Sequence, residues 1–271
     1  MVARHGAAKH KAPAHAVDCH HHIYDHRWPV DPHSTVRQED ATVADYRLLQ
    51  KRIGTTRNVV IQPSAYGVDN TGLIEVLGQF GTKTTRGVAV VNTEVTDAEL
   101  DHLHTAGVRG IRFNLASPGG ATSVEMIEPL SKRIAPRGWH IQMNMTADQI
   151  ADNAALWHSI PCPSVFDHLG HLPQPEGTKH RAFAVITDLL KQGKGLGQAQ
   201  RPLYRFDARA ALCRYRCDRP GPIWPRHRAS WSGAATGRIR LRNPTTSRTT
   251  RCCSISSCSR RMSLPCRNVF S

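Results

Sequence analysis

Thr96-Asp97-Ala98-Glu99-Leu100-Asp101-His102-Leu103-His104-Thr105-Ala106-Gly107-Val108-Arg109-Gly110-Ile111-Arg112-Phe113-Asn114-Leu115 is the stretch that decides the fold. Thr96 and Glu99 stand at the spacing of a capping box, so a helix is expected over residues 97–105. A β-rich run follows at 110–115. Working outward, the same alternation extends from residue 16 to residue 191, with strands expected at 16–24, 58–62, 87–91, 110–115, 140–145 and 164–167. Helices are expected between and after them at about 43–52, 71–80, 97–105, 124–135, 147–158 and 181–191. Strands alternating with helices at this spacing make a parallel sheet with crossover helices, an α/β architecture. A closed (β/α)8 TIM-type barrel needs eight such units, and about six are legible, so the expected fold is an incomplete barrel with a largely irregular C-terminal tail.

Charge divides the chain at the same place. The 271 residues carry a formal charge of +15. Residues 1–194 hold 20 Lys plus Arg against 19 Asp plus Glu, whereas 195–271 hold 16 Arg, no Lys, and only Asp207 and Asp218. Cysteine follows: Cys19 and Cys162 precede the boundary, and Cys213, Cys217, Cys252, Cys253, Cys258 and Cys266 follow it. Two scattered thiols suit a reducing compartment, and residues 1–16 have no apolar run long enough for a signal peptide or a membrane span. The expectation is a cytoplasmic protein with no membrane partner, a disordered extension at 1–15, a barrel portion at 16–194 and a separate tail at 195–271.

Polar side chains gather at the C-terminal ends of the expected strands, where barrel enzymes build their sites. The first strand carries His20-His21-His22; with a period of two, His20 and His22 face the barrel mouth and His21 faces the helices. Two imidazoles so placed can share a divalent ion or a substrate oxyanion, or be satisfied core histidines. Arg112 and Asn114 share a face of the fourth strand, and Gln142 and Asn144 share a face of the fifth. Arg112 is suited to grip a substrate carboxylate through two parallel hydrogen bonds, or to pair with an interior acid. Ser64 and Tyr66 follow the second strand and are candidate substrate contacts.

The strings Val17-Asp18-Cys19-His20-His21-His22-Ile23, Ile61-Gln62-Pro63-Ser64-Ala65-Tyr66-Gly67, Gly107-Val108-Arg109-Gly110-Ile111-Arg112-Phe113-Asn114 and Phe166-Asp167-His168-Leu169-Gly170 together resemble the amidohydrolase-related family. Within that family the likeness is to the branch of 2-pyrone-4,6-dicarboxylate lactonases and sugar-lactone isomerases, and it runs from about residue 16 to residue 194. The resemblance implies a hydrolase acting on a small carboxylated lactone. It also implies that His20, His22 and His168 hold a divalent metal, zinc above all, or polarise the substrate directly, since some lactonases of this branch work without a metal. Family members carry a general-base aspartate after the eighth strand in a motif like Trp-Gly-Ser-Asp-Trp-Pro, which these 271 residues lack.

The tail is compatible with that missing portion read out of register. With codons chosen to suit, residues 195–201 shifted to the second base spell Ala-Trp-Val-Lys-Leu-Ser-Gly, a plausible seventh strand. Residues 232–240, shifted to the third base, spell Trp-Gly-Ser-Asp-Trp-Pro-His-Pro. The expected consequence is a barrel that cannot close and a product without turnover. As an alternative, an Arg-rich tail on an incomplete barrel would bind nucleic acid with steep salt dependence, but its sparse aromatic residues make a poor stacking platform. The tail cysteines likewise lack the paired spacing of a zinc ribbon. Nothing in the sequence sets an oligomeric state.

Overall fold

The computed structural model describes residues 12–13, 15–35, 38–116, 121–173 and 176–197. Seven strands lie in one parallel sheet in chain order. They are β1 (Val17–His21), β2 (Arg57–Ile61), β3 (Thr85–Ala89), β4 (Val108–Asn114), β5 (His140–Asn144), β6 (Ser164–Phe166) and β7 (Gly195–Gly197). Between them run α1 (Val43–Ile53), α2 (Thr71–Phe80), α3 (Asp97–Ala106), α4 (Ile127–Ile134), the consecutive α5 (Ala147–Asp152) and α6 (Ala154–Ser159), and α7 (Arg181–Lys191). Six βα units and a seventh strand result. That last strand begins just past the boundary expected at 194, where Ser164 and Phe166 pair with Gly195 and Gly197.

Local chemistry explains the elements. Thr42, Thr96 and Thr146 each close a capping box, with Asp45, Glu99 and Gln149, and so satisfy orphan N–H groups at the starts of α1, α3 and α5. Gly54 and Gly107 end α1 and α3 in the left-handed conformation. The core lies between sheet and helices: Ile111 and Phe113 on β4 are fully buried with Leu100 of α3 and Leu130 of α4, while Arg112 and Asn114 point to the opposite, lumen face.

Two helices differ from expectation. The segment expected as one helix over 124–135 enters through a 3-10 turn, Val124–Met126, and becomes α-helical at Ile127, because Pro129 fits only the first turn, where its missing N–H costs nothing. The helix expected over 147–158 breaks at Asn153, whose φ and ψ are −100° and 23°. There the Asn153 side-chain amide bonds the Gln149 carbonyl at 2.9 Å beside its own backbone N–H at 3.2 Å, and the Trp157 indole N–H takes the Ile150 carbonyl at 2.8 Å.

Strand β1 bulges: Asp18 pairs with Asn58 but His21 pairs with Val60, three steps against two. The extra residue turns both Asp18 and His21 toward α1. Tyr46 donates its hydroxyl to Asp18 at 3.0 Å, and its ring stacks on His21 at 3.6 Å. His21 therefore faces the helices, as its place in the strand predicts.

Candidate active site

Two tiers of polar side chains line the C-terminal mouth of the sheet. The lower tier forms because Arg112 and Gln142 are register neighbours on β4 and β5, with Asp167 immediately after β6. Arg112 donates from Nε to Asp167 Oδ2 at 3.1 Å, and Gln142 Nε2 donates to Asp167 Oδ1 at 2.7 Å. Burial by itself would raise the Asp167 carboxyl; His20 and Arg112 beside it, with a hydrogen bond from His20, hold it below the usual carboxylate value instead. The interior acid considered as a partner for Arg112 is thus Asp167, but the pair uses only Nε. The two terminal guanidinium nitrogens make no hydrogen bond among the described residues, leaving the fork that a carboxylate would take.

His20 completes this tier. Its Nδ1 lies 3.1 Å from Gln142 Nε2 and 3.6 Å from Asp167 Oδ1. His20 Nε2 lies 3.2 Å from His22 Nε2, and His22 Nδ1 donates to the Ile61 carbonyl at 2.8 Å. Gln142, His20, His22 and the Ile61 carbonyl are thus joined end to end. Burial, then the neighbouring His20 and Arg112, push the His22 imidazole well below its ordinary value, only partly offset by its bond to Ile61.

A metal shared by His20, His22 and His168 was one expectation. The first two nitrogens are close enough to share an ion, 3.2 Å apart. His168 adds no third donor. Its ring centre lies 5.7 Å from that of His20, and among the described residues the one group with three ligand atoms mutually within 4.8 Å is Asp25, His26 and Asp40, elsewhere. The three histidines do not fit a metal in this arrangement, and no chemical step is routed through one. Burial, opposed by Asp167, pushes the His168 imidazole down to about 4.

The upper tier sits one strand period further out. Asn144 donates from Nδ2 to Asn114 Oδ1 at 2.7 Å, and Asn114 donates from Nδ2 to Ser64 Oγ at 2.8 Å. His171 Nε2 lies 2.7 Å from Asn144 Oδ1. His168 and His171 reach the mouth through a left-handed turn in which His168, Leu169, Gly170 and His171 have φ of 54°, 56°, 65° and 48°. Such a run in non-glycine residues is strained backbone of the kind that collects at functional sites.

Of the expected residues, the structure brings together His20, His22, Arg112 and Gln142 in one network and Ser64 and Asn114 in another. The Tyr66 hydroxyl bonds the Asp25 backbone, accepting from N at 3.0 Å and donating to O at 3.2 Å, so it braces the loop after β1. Asp167, Asn144 and His171 had no expected role. The inward pairing of Asn144 with Gln142 was the signal for one of them; nothing local marks Asp167 as the hub.

Residues 17–212 match the amidohydrolase family. The chain belongs to that family. Among curated amidohydrolase relatives, 2-pyrone-4,6-dicarboxylate hydrolase of Comamonas testosteroni is 32% identical over 67% of this chain and 60% of its own length. The 4-sulfomuconolactone hydrolase of Rhizobium radiobacter is 28% identical over 65% of this chain and 60% of its own. A solved structure of a putative 2-pyrone-4,6-dicarboxylic acid hydrolase from Pseudomonas putida superposes with a TM-score of 0.59 at 27% identity, covering 74% of this chain and 77% of that one. This amidohydrolase chain thus spans about 60% of the length of the curated relatives it matches.

Proposed function

We propose that the described mouth is the carboxylate-gripping and carbonyl-polarising part of a site for small carboxylated lactones. The observation that carries this is Arg112, bonded to Asp167 through Nε while its two terminal nitrogens make no hydrogen bond among the described residues. A ring carboxylate docked on that fork brings its lactone carbonyl toward the His20–His22 pair, where an imidazole N–H turned to the substrate stabilises the negative charge that develops on oxygen as water adds. No metal is needed for either contact.

Water addition also needs a base. The 271 residues contain no Trp-Gly-Ser-Asp-Trp-Pro motif, and the shifted reading of 232–240 would supply one. We therefore propose that this chain binds the lactone without turning it over, and that the gene from codon 195 onward is read out of frame. Incubating the purified chain with 2-pyrone-4,6-dicarboxylate should give no hydrolysis above buffer. Hydrolysis that disappears in His168→Ala would overturn the inactive reading. The nucleic-acid alternative rests on residues outside the described ones, and no observation favours it.

A further inference from the structure

We infer that His171 is a positioning residue that sets the Ser64 hydroxyl as a hydrogen-bond donor toward an anionic oxygen of the substrate. The inference rests on the lactone-site reading and deepens it by assigning a second anchor, distinct from Arg112. Four side chains from four different segments are joined end to end: His171 Nε2 to Asn144 Oδ1 at 2.7 Å, Asn144 Nδ2 to Asn114 Oδ1 at 2.7 Å, and Asn114 Nδ2 to Ser64 Oγ at 2.8 Å. Each amide in the middle uses its oxygen on one side and its nitrogen on the other. An amide oxygen only accepts and an amide nitrogen only donates, so the whole chain has a single sense. A proton on His171 Nε2 directs Asn144, Asn144 directs Asn114, and Asn114 fills a lone pair of Ser64, whose own O–H is left to point onward.

The opposite sense is equally well bonded but demands the reverse at both ends. His171 would present a bare Nε2, and Ser64 would spend its proton on Asn114, showing only lone pairs to the mouth. A carboxylate oxygen is repelled by that arrangement and held by the first. The tautomer at His171 and the ligand chemistry at Ser64 are therefore one choice made at two ends. The structure has the first sense, with Asn144 donating to Asn114 and Asn114 to Ser64, and the backbone fixes the members in place: Asn114 and Asn144 are direct register partners, and the Asn144 carbonyl accepts from both Leu115 and Ala116 at 2.8 and 2.9 Å. Polar groups joined so tightly across four segments specify an acceptor geometry, whereas a solvated rim does not need one.

Calorimetric titration of the full chain with isophthalate, a planar ring with two carboxylates, tests this. His171→Phe and Ser64→Ala should each weaken binding roughly tenfold, the worth of one hydrogen bond to a charged group. The double variant should be no weaker than Ser64→Ala alone, because the histidine acts only through the serine. His171→Gln, which keeps an N–H donor, should restore most of the affinity lost in His171→Phe and so separates positioning from misfolding. Unchanged binding in His171→Phe, or a loss that adds in full to that of Ser64→Ala, overturns the inference. If the wild-type chain takes no isophthalate, the lactone-site reading falls separately, and the nitrogen-15 spectrum of His171 decides: a proton on Nε2 supports the inference, and a bare Nε2 overturns it.

Discussion

At the scale of single residues, the site depends on charges that cannot be removed one at a time. Asp167 and Arg112 are both almost wholly buried, and deleting one strands the other. Asp167→Asn should lower unfolding stability by roughly 3–5 kcal/mol, read by urea denaturation near neutral pH. Because its folded-state carboxyl lies below the unfolded value, this stability is present above the ordinary carboxylate range and is lost as pH falls through and below it. Asp18 works with the opposite sign. Burial, opposed by the Tyr46 hydroxyl and the His20 amide, raises its carboxyl from 3.8 to about 7, so its contribution is full below 3.8 and is lost as pH rises toward 7. The stability of Asp18→Asn relative to the parent should therefore increase between pH 4.5 and pH 7.5; a difference independent of pH would refute that account. His20, His22, Arg112 and Gln142 were legible in the sequence because strand periodicity alone sends them to one face. The part played by Asp167 was not: it closes the strand expected at 164–167 but lies just past β6, and its role as shared acceptor for Arg112 and Gln142 depends on two other strands. The bonds from Tyr66 to the Asp25 backbone were equally hidden, because a phenol near a strand end looks the same in sequence whatever its hydroxyl meets.

Among the elements, the left-handed turn after β6 is the one most exposed to small changes. A Cβ on Gly170 would stand 2.6 Å from Ile186 Cδ1 and 3.1 Å from Ile150 Cδ1, at a φ of +65° that side chains rarely adopt. Gly170→Ala should cost about 1–3 kcal/mol in a chemical melt and displace His168 and His171 together. Thr96→Ala, by contrast, removes one cap from an exposed helix start and should cost about 1 kcal/mol with no effect on ligand binding. That capping box, and with it α3, was readable from four residues. The breaks at Asn153 and before Ile127 were harder to see, because both segments keep a helical pattern of apolar residues across the interruption. The bulge in β1 was equally hidden: its cause is the pairing of Asp18 and His21 with Tyr46, 25 or more positions along the chain.

For the whole molecule, alternation of strands and helices was enough to read a parallel α/β sheet with six βα units. The seventh strand escaped because Gly195-Leu196-Gly197 has almost no side-chain signature and is fixed only by its backbone pairing with β6. Among the described residues the sheet runs from β1 to β7, and no helix of the described residues is long and apolar enough to cross a membrane. Whether the gene restores an eighth unit is decided by resequencing it from codon 190 onward: small insertions or deletions before the codons for 232–240 are expected, and an intact frame contradicts the out-of-frame reading. The central claim, a carboxylate grip built on Arg112, is tested most directly by titrating 2-pyrone-4,6-dicarboxylate into the 271-residue chain and into Arg112→Lys, which keeps the charge but loses the planar fork. Saturable binding by the parent, weakened about tenfold or more in a variant that still folds, is the predicted result. Equal affinity in the two proteins, or no binding by the parent, would contradict it.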